Sequence, residues 1–242
     1  MNTRIYSFFS IIFFIVLCLP LLGVATADDI RLKCYLLGQF EPHGDKLFVA
    51  VPTAYSAKTE VQYLRKEAMD AFKKMADAAK TDGITLKIVS ATRTFFAQKT
   101  IWEAKWKNMT SALSSSDRAK TILQYSAMPG TSRHHWGTDV DINSVEPDYF
   151  TNNQGKQEYE WLVNNANRFG FRQPYTAKNG HRPTGYEEEK WHWSYIPLAL
   201  EFLHKYSSVV TYSDITGFEG SETAKQLKVI EQYVYGIHFS CT

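Results

Sequence analysis

SRHHWGTDVDIN, residues 132–143, and EEEKWHW, residues 187–193, are the two stretches on which both the fold and the chemistry turn. In the first, Gly137 lets the chain turn tightly out of a polar loop. Thr138 to Asn143 then alternates as a short strand does, so Asp139 and Asp141 share one face while Val140 packs behind. Glu188 to Tyr195 also reads as a strand. In a regular strand Glu188 shares a face with His192, and Glu189 does not.

Outward from these stretches, helices and short strands follow without regular alternation. Apolar residues from Val61 to Ala79 recur at helical spacing, which predicts a helix over 59–80 ended by Asp82-Gly83. Residues 84–90 (ITLKIVS) read as a strand. Helices are expected over 95–107, 117–125, 157–169, 197–206 and 222–235, the fourth opening on Pro197. No repeat, linker or charge block divides 28–242, which is expected to be a single domain. The class is α+β, a small mostly antiparallel sheet packed with helices.

The seven histidines are unequal in promise. His43, His204 and His238 read as surface or core residues, whereas the two quoted clusters concentrate metal-binding types. A catalytic zinc takes three ligands from His, Asp, Glu or Cys and keeps a fourth position open, with a carboxylate nearby to accept a proton. His134, an aspartate and His192 meet that need; periodicity alone leaves Asp139 and Asp141 equal as the ligand. It also favours Glu188 over Glu189 as the base. His135 and His181 lie close by, and Trp136, Trp191 and Trp193 either line a pocket or pack around it. Ser132 lacks the Gly-x-Ser-x-Gly setting of a serine nucleophile.

Ser-x-His-x6-Asp followed by Glu-x-x-His with a tryptophan before the histidine resembles the zinc D-alanyl-D-alanine carboxypeptidases of the vancomycin-resistance type. These belong to the lysostaphin, D-Ala-D-Ala metallopeptidase and sonic hedgehog group. Ser90-Ala91-Thr92-Arg93 and Gln98 supply the family's upstream block. The resemblance covers three blocks between residues 90 and 195, in family order. It implies Zn2+ held by His134, Asp141 and His192, Glu189 as general base, and Arg93, Gln98 and Ser132 on the substrate. It implies peptidoglycan stem peptides as substrate and a hedgehog/D-Ala-D-Ala-peptidase-like fold. Glu189 as base requires a bend before Trp191. Asp139 stands where the family has a small apolar residue, and an extra carboxylate there either orients a ligand histidine or alters the metal preference. The alternatives are an L,D-carboxypeptidase or endopeptidase of the same family, and a noncatalytic zinc-containing cell-wall binding module, which the intact Glu-x-x-His argues against.

Composition bounds the rest. The chain has 242 residues, 44% of them hydrophobic and 21% charged, which excludes a disordered or low-complexity scaffold. Its net charge of +2 lacks the basic excess of a nucleic-acid binder. Residues 1–27 pair Arg4 with an uncharged run from Ile5 to Val24 and an Ala25-Thr26-Ala27 site, the pattern of a signal peptide. The expected location is periplasmic or secreted in a bacterium, with membrane attachment only if the leader stays uncleaved. In an oxidising compartment, Cys34 and Cys241 are expected to form a disulfide that ties the ends of the mature chain.

Overall fold

The computed structural model describes residues 26–241. The leader lies outside the described residues except for Thr26 and Ala27, which cap and open the first helix. That helix, α1 (Ala27–Leu37), starts with a Thr26–Asp29 capping box and ends at Gly38, whose φ of 72° only glycine adopts freely. No helix among the described residues is long and apolar enough to cross a membrane.

β1 (Phe48–Ala50) and β2 (Tyr63–Arg65) form an antiparallel pair ahead of α2 (Lys66–Thr81). The helix expected from residue 59 thus begins seven residues later. Leu64 is buried by the strand pairing, and Val61 is exposed: tertiary pairing overrides a helical apolar period. Next come β3 (Ile88–Ser90), α3 (Phe95–Asn108), capped by Thr94, and α4 (Ser115–Ile122). A single 3-10 turn, Arg133–Trp136, leads through Gly137 into β4 (Asp139–Ile142). α5 (Asn153–Asn165), β5 (Phe171–Arg172), β6 (His192–Tyr195) and α6 (Ile196–Val209) follow. The expected 222–235 helix is instead a 3-10 turn at Ser221–Thr223 and a π turn at Ile230–Val234, separated near Lys228, whose φ is 49°.

The larger sheet is antiparallel, in the order β3-β4-β6-β5, as the α+β reading requires. Asp141 sits opposite His192, and Asp139 opposite Ser194. Ladder bonds from Ile142 N to Trp191 O and from Tyr195 N to Thr138 O, both 2.9 Å, flank these pairs. Both pairs are therefore of the non-hydrogen-bonded kind, in which side chains approach most closely. The alternate residues Ile88, Val140, Ile142 and Trp193 pack on one face with Met69, Phe72, Trp161 and Leu162 of α2 and α5. A second core of α1, α3, α4, α6 and the C-terminal segment includes Leu36, Trp102, Trp136, Leu203 and Val234.

The terminal disulfide is not formed; Cys34 and Cys241 are free thiols. Cys34 is half-buried on α1, which packs on α6. Cys241 is drawn into the interior in the electrostatic reach of Arg133 and Asp139, and burial pushes its thiol up.

Gly137 carries φ 71°, and a methyl group there would run into the Phe48 ring. Left-handed backbone costs a non-glycine residue about 1–2 kcal/mol, and overpacking adds about 1–3 kcal/mol. Gly137→Ala is therefore expected to lower stability by about 2–5 kcal/mol, read as a drop in the urea midpoint at unchanged slope; a midpoint equal to the parent's would count against this account of the turn.

Candidate metal centre

The sheet register and the 3-10 turn bring three donors together. His134 comes from the turn, Asp141 from β4 and His192 from β6, and all three are buried. His134 Nε2 lies 3.2 Å from His192 Nδ1 and 3.3 Å from Asp141 Oδ1; His192 Nδ1 lies 3.1 Å from that same oxygen. A tetrahedral ion with bonds of 2.0–2.1 Å spaces its ligands by roughly 3.3 Å, so the triangle has the size of one face of such a site.

The outer hydrogen bonds fix which ring atoms face inward. His134 Nδ1 donates to Ala91 O at 2.8 Å, and His192 Nε2 donates to Asp139 Oδ1 at 3.0 Å. Each ring then presents a bare nitrogen to the other and to a carboxylate oxygen. Three lone pairs converging in a buried space repel unless a cation sits among them, and nitrogen and carboxylate donors in this number suit zinc. Where a proton takes the place of the ion, the charged His134 and His192 rings outweigh the burial that opposes ionisation of Asp141 and hold its carboxyl well below the ordinary range.

Asp139 is not a fourth donor. Its Oδ1 takes His192 Nε2 and Arg133 Nε, each at 3.0 Å, and its Oδ2 takes Thr138 Oγ1 at 2.6 Å and Ser194 Oγ at 3.0 Å. Arg133 Nη2 donates to Ser194 Oγ at 2.6 Å, closing a network of fully buried groups. The extra carboxylate thus orients the His192 ring. Burial resists its charge, but Arg133 outweighs that and holds Asp139 ionised. Arg133 and Ser194 carry no motif signal of their own; only the sheet register reveals them.

The bend before Trp191 is present. β6 starts only at His192, and a turn closed by His192 N donating to Glu189 O (3.2 Å) precedes it. Glu189 is buried, with Oε2 3.6 Å from His192 Nδ1, and burial pushes its carboxyl up to about 8. Glu188 instead faces Lys190 at 4.0 Å and is partly exposed. The strand reading that favoured Glu188 fails because the ladder does not extend that far.

Arg93 Nη2 lies 3.5 Å from Asp141, and its Nη1 donates to Gln98 Oε1 at 3.0 Å. Gln98 is fully buried and its amide nitrogen donates to Ala127 O at 2.8 Å, so it braces Arg93 from behind. His135 is structural: its Nδ1 donates to Arg93 O (2.7 Å), its Nε2 accepts from Gly130 N (3.0 Å), and burial lowers it to about 3. Gly38 at the end of α1 lies so close to the His135 ring that a methyl group would collide with it. His181 is exposed on a turn. Trp136 and Trp193 belong to the two cores; Trp191 lines a cleft.

Two connected spaces meet at the donors. A small pocket of about 290 Å³ is walled by Ser132, Tyr175, Tyr186, Glu189 and Arg93. A larger cleft of about 1130 Å³ runs past Arg93, Asp141, Glu189, Lys105 and Trp191. Tyr175, whose ring centre is 4.8 Å from that of His192, and Tyr186 come from a segment that the sequence left without a role.

Known proteins similar to this chain are carboxypeptidases. The chain is 33% identical over 198 residues to YodJ of Bacillus subtilis strain 168, a candidate carboxypeptidase, covering 81% of this chain and 67% of that one. It is 33% identical over 132 residues to a D-alanyl-D-alanine carboxypeptidase of Enterococcus faecalis, covering 53% of this chain and 47% of that one. Among solved structures, the LdcB LD-carboxypeptidase superposes with a TM-score of 0.51 at 26% identity, covering 81% of this chain and 78% of that one. The model of the family described as VanY: D-alanyl-D-alanine carboxypeptidase matches residues 61–198, the segment that holds every donor, Arg93 and Glu189. By that match and by its relatives, the chain belongs to the VanY D-alanyl-D-alanine carboxypeptidase family.

Proposed function

We propose that the chain is a zinc-dependent D,D-carboxypeptidase that removes the terminal D-alanine from peptidoglycan stem peptides outside the cytoplasm. The observation that carries this reading is the buried triangle of His134, Asp141 and His192 at tetrahedral spacing, with Glu189 beside it. The family match supports the reaction class, and the leader pattern at 1–27 supports export.

His134 Nε2, Asp141 Oδ1 and His192 Nδ1 would hold the ion. Zinc, when bound, supplies Lewis acidity toward the scissile carbonyl and the attacking water. Glu189 accepts the proton of that water and delivers it to the leaving amine. Its burial opposes the carboxylate's charge and so strengthens it as a base. Arg93 stands where the small pocket meets the cleft, its Nε without a hydrogen-bond partner among the described residues. That donor faces the carbonyl oxygen on which negative charge develops. Ser132, in the small pocket, meets the residue that leaves.

A second reading, an L,D-carboxypeptidase, is favoured by the likeness to LdcB. Mass spectrometry of a muropeptide mixture separates the two. Pentapeptides losing one alanine is the expected result; loss from tetrapeptides alone would transfer the assignment to the L,D bond.

Elemental analysis of purified protein is expected to give about one zinc per chain, with the metal absent from His134→Ala and His192→Ala. Asp139→Asn should retain the fold yet bind zinc roughly 10–100-fold more weakly, the usual effect of removing a group that orients a ligand. Unchanged affinity would remove Asp139 from that role. Glu189→Gln keeps its size but accepts no proton, so zinc should stay while turnover falls by about 10²–10⁴-fold. Glu188→Gln should stay near the parent rate; if it is the inactive variant, the base has been misassigned.

A further inference from the structure

We propose that the large cleft selects stem peptides whose third residue from the end carries a side-chain carboxylate, and that Lys105 takes this group. The inference rests on the carboxypeptidase reading above and names the class of stem peptide within it.

That reading fixes which part of a substrate meets which wall. The leaving residue occupies the small pocket, and the scissile carbonyl lies at the donors, where the pocket and the cleft meet. The residue that precedes the penultimate one therefore enters the cleft, the larger space at about 1130 Å³ against about 290 Å³. Ile101 and Lys105, one turn apart on α3, both line it. Tyr125 and Val145 line it with much of their surface exposed, and the Trp191 ring lies 6.3 Å from that of Tyr125. Apolar groups in this arrangement suit the methylene stem of a long side chain with a polar head.

At the end of such a stem the cleft offers charge without a partner. Lys105 turns its ammonium inward, where Nζ donates to buried Ser126 Oγ at 2.6 Å, and it pairs with no carboxylate among the described residues. Burial draws this ammonium below its ordinary range, and Glu189 and Glu146 oppose that only in part. An ammonium has three donors, so Ser126 leaves two of them for a ligand. Lys58 adds a second cation to the same lining. Of the three acids that line the cleft, Asp141 belongs to the metal triangle and Glu189 to proton transfer, which leaves Glu146. A lysine side chain on the substrate would bring only another ammonium toward this excess of cations. A side chain that ends in both an amine and a carboxylate, as diaminopimelate does, gives Lys105 a charge-assisted partner and leaves its amine for Glu146.

The test uses two Nα-acetylated peptides, X-D-alanyl-D-alanine with X either lysine or meso-diaminopimelate, on zinc-loaded enzyme. They differ by one carboxylate. The parent should show the higher kcat/KM on the diaminopimelate peptide. Lys105→Met, which keeps the length and removes the charge, should lower the ratio of the two values roughly 5- to 50-fold, mostly through KM. Lys105→Arg should restore most of the ratio, and Lys105→Glu should invert it. Zinc content equal to the parent's shows that the donors are intact in each variant. Calorimetric binding of the two peptides to Glu189→Gln enzyme should give the same order of affinity, so the preference is read without turnover. A parent that cleaves both peptides equally, or a ratio unmoved in Lys105→Met, would overturn the proposal and leave the carboxypeptidase reading standing. A parent that cleaves neither peptide would remove that reading, and the proposal with it.

Discussion

The antiparallel register that sets Asp141 against His192 is the constraint on which the rest of the structure depends. A one-residue slip of β6 against β4 would turn His192 into the apolar core beside Phe72 and Trp161 and set Trp193 opposite Asp141. What pins the register is burial on the other face: Val140, Ile142 and Trp193 are nearly inaccessible and find their volume only in this alignment. The metal-binding geometry is thus a by-product of core packing. His134 is added from outside the sheet, by a turn whose exit Gly137 makes possible.

Placing the polar face of a sheet in the interior has an electrostatic cost, and the structure answers it by pairing every charge. Asp139 accepts four hydrogen bonds and faces Arg133, while Asp141 faces two histidines and Arg93. Such networks do not add stability over an apolar core; their value lies in holding one arrangement. Here that arrangement sets the tautomer of His192 and so directs Nδ1 inward. The Arg133–Asp139 pair comes from the same twelve residues that hold two of the donors, so the local sequence brings its own orienting group.

The fold class and the clustering of His134, Asp141 and His192 were legible in the sequence to different depths. Period-two alternation was enough to read β4 and the shared face of Asp139 and Asp141, because a short strand buried on one side has few other ways to satisfy its pattern. It could not choose between the two aspartates; their different partners, Arg133 for one and His134 for the other, depend on contacts distant in sequence. The same rule extended β6 back to Glu188, since nothing local announces the turn at residues 189–192. The bonds of Gln98 to Arg93 and Ala127 likewise join residues distant in sequence and left no local sign. The start of α2 and the broken C-terminal helix were lost for a related reason: apolar spacing reports burial, and burial was supplied there by a hairpin and by irregular turns.

The Gly38–His135 contact alters where the working unit ends. Residues 61–198 carry every donor, but His135 holds Arg93 O from one side while the end of α1 braces it from the other. Phe95 N also donates to Gly38 O at 2.7 Å, tying the segment after Arg93 to the same corner. At the opposite edge, His238 N donates to Pro174 O (2.8 Å), anchoring the loop that bears Tyr175. A piece trimmed to residues 61–198 would therefore keep the three donors without the contacts that brace their surroundings. The two flanks act as bookends to the segment that carries His134, Asp141 and His192.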